Sequence, residues 1–159
     1  MAITTAAGIT STTVTTTQQA PLGFQLVVPN GDFGLQTWVY VFNDDAAGQW
    51  DVGDLIQLDT DFALYHGIQS AVGALAKLRV LGAAQHIIPA GSYGFILQKG
   101  RGTVNGDGTL NNAGELMVSR ASARAGEMAA AEEAGIFGIN LTASAVAGAA
   151  LTCLIDCGP

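Results

Sequence analysis

The sequence predicts an all-β fold: a small β-barrel or β-sandwich of short antiparallel strands, with an extended N-terminal arm and at most a short helix. Three observations point there. Apolar and β-branched residues fall in short runs separated by Gly, Pro, Asn and Asp, the punctuation of strands rather than of long helices. Glycine numbers 21 among 159 residues, about twice its usual share of ~7%, as a chain with many tight turns requires. Residues 4–17 are dense in Thr, whose branched Cβ disfavours helix and suits extended backbone.

A chain of this length fits one domain and buries a core without needing a metal or disulfides. We divide it into a Thr-rich arm, 1–22, and a single β-rich domain, 23–159. The arm has no charged side chain, and within residues 2–17 Ile3, Ile9 and Val14 are the only larger apolar residues. Too little is there for a core of its own. It is either a disordered tail or a segment that orders by adding a strand to a neighbour.

The domain opens with a strand at 24–28, closed by the turn cluster Pro29-Asn30-Gly31-Asp32. The next run, 35–42, alternates Leu35, Thr37, Val39, Val41 with Gln36, Trp38, Tyr40, Phe42. Both faces are largely apolar, so this strand is covered on both sides. A loop follows from Asn43 to Gly48, then a short strand at 54–59. Residues 67–82 are ambiguous: Ala71, Leu75 and Leu78 permit a helical turn or two, whereas 78–81 also suits a strand. A strand follows at 93–99, and residues 115–119 are short and strand-like. Propensity favours helix for the Ala-rich stretch 120–134, although Gly126 interrupts it. Strands at 136–142 and 150–156 close the chain.

Charge is scarce. Asp, Glu, Lys and Arg make up 12% of residues against ~25% in typical soluble domains, and the formal net charge is −7. Poorly charged surface is more comfortable against another protein, which points to an oligomer or assembly subunit. No basic cluster exists to neutralise phosphates, so no nucleic acid is expected as partner. No membrane partner is expected either. A polybasic lipid-binding stretch is missing, and the apolar run 145–155 is shorter than the ~18 residues of a span. The N-terminus carries no signal-peptide pattern, which implies synthesis in the cytoplasm.

No constellation for chemistry emerges, so no catalytic, cofactor-binding or metal residues are assigned and no cofactor is expected. Asp59-Thr60-Asp61 suits half of a hard-cation site but equally a solvated loop. The run from Asn105 to Glu115 fails the calcium-loop template at Leu110, and its Asn-Gly and Asp-Gly pairs suit a hairpin turn. His66 and His86 lack a second histidine at ligand spacing and are read as polar surface or as satisfied, partly buried rings. Gly100-Arg101-Gly102 fits neither phosphate-binding glycine pattern. Cys153 and Cys157, four apart on a strand, lie ~13 Å from each other, too far for a disulfide. They read as reduced core thiols sharing a face with Leu151 and Ile155.

The glycine rhythm of Gly53-Asp54 with the strand after it, and of Ala90-Gly91-Ser92-Tyr93-Gly94 running to Gly100, resembles that of small phage head decoration proteins, also called capsid cement proteins. Ala125-Gly126-Glu127, Gly135 to Leu141 and the apolar strand 150–155 match the closing part of that pattern, so the resemblance spans residues 50–157. It implies a β-rich homotrimer on the capsid exterior, clamping the major capsid protein and stabilising the shell, with no enzymatic activity. It also implies strand and loop, not helix, over 120–134. The contact residues expected on this reading are Ile3, Thr5, Ile9 and Val14 of the arm and the aromatic face Trp38, Tyr40, Phe42, which could equally be core. Competing expectations are a β-rich tail or fibre-associated binding module, and a trimeric β-barrel nucleotide hydrolase, which the scarcity of basic residues disfavours.

Overall fold

The computed structural model describes residues 8–46, 48–59, 63–70, 80–108, 112–119, 125–127 and 136–157. Ten strands follow in order: β1 (Gln25–Pro29), β2 (Leu35–Asn43), β3 (Leu55–Leu58), β4 (His66–Gln69), β5 (Val80–Ala83), β6 (Tyr93–Asn105), β7 (Leu116–Ser119), β8 (Ala125–Glu127), β9 (Ile136–Asn140) and β10 (Ala150–Asp156). A single 3-10 turn at Gly31–Phe33 joins β1 to β2. The all-β expectation holds, and the architecture is a barrel. Strands β2, β4, β3, β5 and β6 close on themselves through the β2–β6 pairing. Outside the barrel, β1 adds to β2, while β10, β9, β7 and β8 extend from β6.

Strand alternation sorts side chains between two cores. Inside the barrel, Val39 and Val41 of β2, Ile56 of β3, Leu81 of β5 and Ile96 of β6 meet Trp50, Ala84 and Ile88. On the other face of the same strands, Trp38, Tyr40, Leu55, Val80, Ala83, Phe95 and Leu97 pack with Leu151, Cys153 and Ile155 of β10, with Leu26 of β1 and with Phe137 of β9. Strand β2 is therefore covered on both faces, as its two apolar registers require. Strand β4 turns Gly67 toward the barrel interior: a Cβ built there would lie 2.6 Å from Ile56 Cγ2 and 2.8 Å from the Trp50 ring. The indole of Trp50 fills the space that a side chain on β4 would need.

Strand β6 links the two layers. Residues 93–99 pair with β2, and residues 99–105 pair with β10. It is longer than the 93–99 expected because Gly100, at φ +114°, carries the chain past β2 without ending the ladder. A Cβ at Gly100 would sit 2.8 Å from the Leu35 carbonyl oxygen, so glycine is needed there for both conformation and space.

Several expectations are corrected. The sheet is not wholly antiparallel: β2 and β4 run parallel through Phe42↔His66 and Asn43↔Gly67. The loop from Asn105 to Glu115 does not close a hairpin, since β6 pairs with β10 while β7 pairs with β8 and β9. The helix suggested for 120–134 is overturned at 125–127, which pair with β7 as strand; the remainder lies outside the described residues. Of the ambiguous stretch 67–82, residues 67–69 and 80–82 are strand, and 71–79 lie outside the described residues. Ladder hydrogen bonds and burial override Ala propensity in such short segments.

The arm, over 8–22, adds to its own chain. Thr15 exchanges both main-chain hydrogen bonds with Tyr93, at 3.0 and 2.8 Å. The Gln19 N–H donates to the Tyr40 hydroxyl at 3.0 Å, and Ile9 is buried in the larger core.

We predict that Gly67→Val lowers stability by about 1–3 kcal/mol through overpacking against Ile56 and Trp50. Urea unfolding followed by Trp fluorescence measures it; an unchanged midpoint would show that the barrel interior has slack.

Candidate functional site

The outward face of the outer sheet carries the most distinctive surface among the described residues. Its register is read across β6 and β10: Lys99↔Asp156, Arg101↔Leu154 and Thr103↔Thr152 are opposed. Strand β9 sets Ile139 beside Leu154, and β7 sets Leu116 beside Ile139. The alternate residues Leu151, Cys153 and Ile155 point into the core, so period-two alternation forces Leu154 outward. Leu154, Ile139 and Leu116 stay 46%, 37% and 39% exposed, forming one row across three strands. They line a groove of about 260 Å3 with Ile136, Phe137 and Gly138. The Lys99–Asp156 ion pair, 3.3 Å long, stands at its edge.

The residues expected to contact a partner lie elsewhere. Ile3 and Thr5 fall outside the described residues. Ile9 and Trp38, 9% and 7% exposed, and Tyr40, fully buried, are core. Val14 packs against the barrel core. Phe42 is half-buried, its ring 4.8 Å from Tyr93 and 5.1 Å from His66. The chain itself covers Ile9, Trp38 and Tyr40, and for Trp38 and Tyr40 this matches the core alternative. The sequence reading gives the strands at 136–142 and 150–156 no outward apolar face, so the outer row is missed. Its signal was the apolar residue on both registers of 150–156: Leu154 had no inward place once Leu151, Cys153 and Ile155 took that face.

The acidic loops at one end of the barrel are committed to structure. The Asp54 carboxylate accepts from Asp51 N–H at 2.8 Å, Gln69 Nε2 at 2.7 Å and Asn105 Nδ2 at 3.2 Å. Asp45 accepts from Gln69 N–H at 2.9 Å. His66 Nδ1 lies 2.9 Å from Asp44, with both side chains partly exposed. Among the described residues, no group of three or more His, Cys, Asp or Glu is arranged to hold a metal ion.

Two buried groups are chemically quiet. His86 stacks on Trp38 with ring centroids 6.4 Å apart, and among the described residues neither ring nitrogen has a hydrogen-bond partner. Burial of the ring lowers its pKa below the ordinary 6.5. Both cysteines are buried on the Leu151–Ile155 face, as expected. Burial pushes the Cys153 thiol up to about 12, and its Sγ lies 3.8 Å from Asn140 Oδ1.

No family model matches the chain, and no curated protein matches it. Among solved structures it is similar to the N base of the head fibre protein gp8.5 of bacteriophage phi29. The TM-score is 0.54 at 11% identity, covering 76% of this chain and 94% of that one. At that identity the likeness is one of fold.

Two measurements check the buried groups. Cys153 should stay unreactive to a thiol reagent from pH 7 to 9 in the folded protein and react on unfolding, because thiolate is scarce below about 12; rapid native labelling would refute its burial. For His86 the folded pKa lies below the unfolded value, so the unfolded chain binds the proton first and stability falls as pH drops through about 6.5. The melting temperature should fall less between pH 7 and 5 in His86→Phe than in the parent; equal losses would remove His86 as the cause.

Proposed function

We propose that this protein is a structural component of a phage virion, bound to the capsid exterior as a homotrimer that cements neighbouring copies of the major capsid protein. The observation that carries the reading is the half-exposed apolar row Leu116–Ile139–Leu154, on a fold shared with a phage head-fibre base. Completing the burial of three half-covered Leu and Ile side chains contributes about 1 kcal/mol each, or roughly 3 kcal/mol per copy. A trimer engaging the shell through all its copies multiplies that effect. A surface so poor in charge loses little solvation when covered. On this reading the protein performs no catalysis, takes no cofactor, binds neither nucleic acid nor membrane, and is made in the host cytoplasm before joining the particle.

A fibre-associated binding module is the second reading, favoured by the head-fibre neighbour. In it the same row seats the domain at the head while another surface meets the host.

The two readings separate on particles stripped of the protein. Purified protein should elute as a trimer, add back stoichiometrically, and raise the heat or osmotic resistance of the shells. Leu154→Asp should weaken addition by about tenfold or more with little change in melting temperature, since its side chain is half-exposed. Addition without gain in resistance selects the fibre module. No addition at all, or full addition by the variant, removes the proposed role of the row.

A further inference from the structure

Beside the apolar row, the same sheet face holds a polar cleft of about 310 Å3, lined by Asn30, Phe33, Gln85, Arg101, Thr103 and Thr152. It forms where the turn after β1 leans over the outer half of β6. Arg101 and Thr103 share a face of β6, with Thr152 opposite Thr103 on β10. The Arg101 guanidinium lies 3.9 Å from the centroid of the Phe33 ring, and Phe33 is itself 57% exposed. The strand beneath is pinned: Gln36 Nε2 donates to the Arg101 carbonyl at 2.7 Å. Gln85 binds both the N–H and the carbonyl of Thr103, each at 2.8 Å. Gln85 is thus wall, and the free groups are those in front of it.

Those free groups form a coherent set. Among the described residues the Arg101 guanidinium has no carboxylate partner, although the chain carries a net charge of −7. Among the described residues, neither threonine hydroxyl nor the Asn30 carboxamide makes a hydrogen bond there. An unpaired, stacked guanidinium presents a planar fork of donors that matches a carboxylate. Its stacking on Phe33 pre-organises that fork. Two hydroxyls and a carboxamide beside it suit the hydroxyls of a sugar ring, and the exposed Phe33 edge suits its C–H face. The volume is at the lower end of small-ligand sites, the size for one or two sugar rings. A single cation balances a monoanion and leaves a phosphate dianion under-compensated in so acidic a protein.

We propose that this cleft binds a saccharide unit bearing a carboxylate, of the uronic or sialic acid type, with Arg101 on the carboxylate and Asn30, Thr103 and Thr152 on hydroxyls. The site goes beyond the capsid-binding reading and does not depend on it. The cleft opens on the same sheet face as the apolar row, so a ligand and a partner at that row would be neighbours.

Titration of the isotopically labelled full chain, followed by amide resonances, tests this. Methyl glucuronide or the methyl glycoside of N-acetylneuraminate should give saturating shifts at Gly102, Thr103 and Asn30, with affinity on the order of millimolar. Methyl glucoside and acetate should each bind at least about tenfold more weakly. Arg101→Gln should remove the preference for the acidic sugar, and Arg101→Lys should retain part of it, with resonances remote from the cleft unchanged as a check of folding. Saturation should weaken at high salt. Absence of saturating shifts with either acidic sugar overturns the proposal. So does equal binding of acetate, which would indicate a partner's carboxylate side chain, or unchanged binding by Arg101→Gln. None of these outcomes bears on whether the protein adds to stripped shells.

Discussion

Strand β6 is the constraint on which the rest depends. Its thirteen residues pair with β2 and β5 in the barrel and with β10 in the outer sheet. One continuous backbone therefore closes the barrel and founds the second layer. The two cores form on opposite faces of the shared strands, so neither could form in this arrangement without it. Gly100 makes the passage possible, because any side chain there would meet the main chain of β2.

That arrangement explains where the buried aromatic residues lie. A closed barrel of five short strands encloses little volume, and Trp50 with a few aliphatic side chains fills it. The larger aromatics Trp38, Tyr40 and Phe95 fall on the outer register, where β1, β10 and the arm cover them. The arm belongs to this covering layer: its bridge to Tyr93 and the Gln19–Tyr40 hydrogen bond hold it against the barrel. Among the described residues, the apolar row Leu116, Ile139 and Leu154 on the far side of the outer sheet stays partly uncovered.

Scarcity of charge takes on a specific meaning in this setting. Several carboxylates are bound into loop hydrogen bonds at one end of the barrel, and the Lys99–Asp156 pair is internal to the sheet face. Arg101 stands apart as a cation whose geometry serves stacking and leaves its donors open. One sheet face therefore carries two kinds of exposed group side by side, an apolar row and an open fork of donors.

The sequence by itself determined the strand class, the positions of most strands though not of β4, β5 or β8, the double coverage of β2 and the burial of both thiols. Each of these follows from local alternation and turn chemistry, which need no knowledge of distant residues. Only the tertiary structure decided which apolar face meets which. Leu154 and Tyr40 are both apolar residues in alternating strands, yet one is exposed and the other is core, because β1, β10 and the arm cover the outer register of β2 whereas the outward register of β10 stays open at Leu154. The parallel β2–β4 contact, the return of the arm onto its own barrel and the meeting of Phe33 with Arg101 join residues far apart in the chain. No local pattern encodes such encounters; the pairing of β6 with both layers produces them.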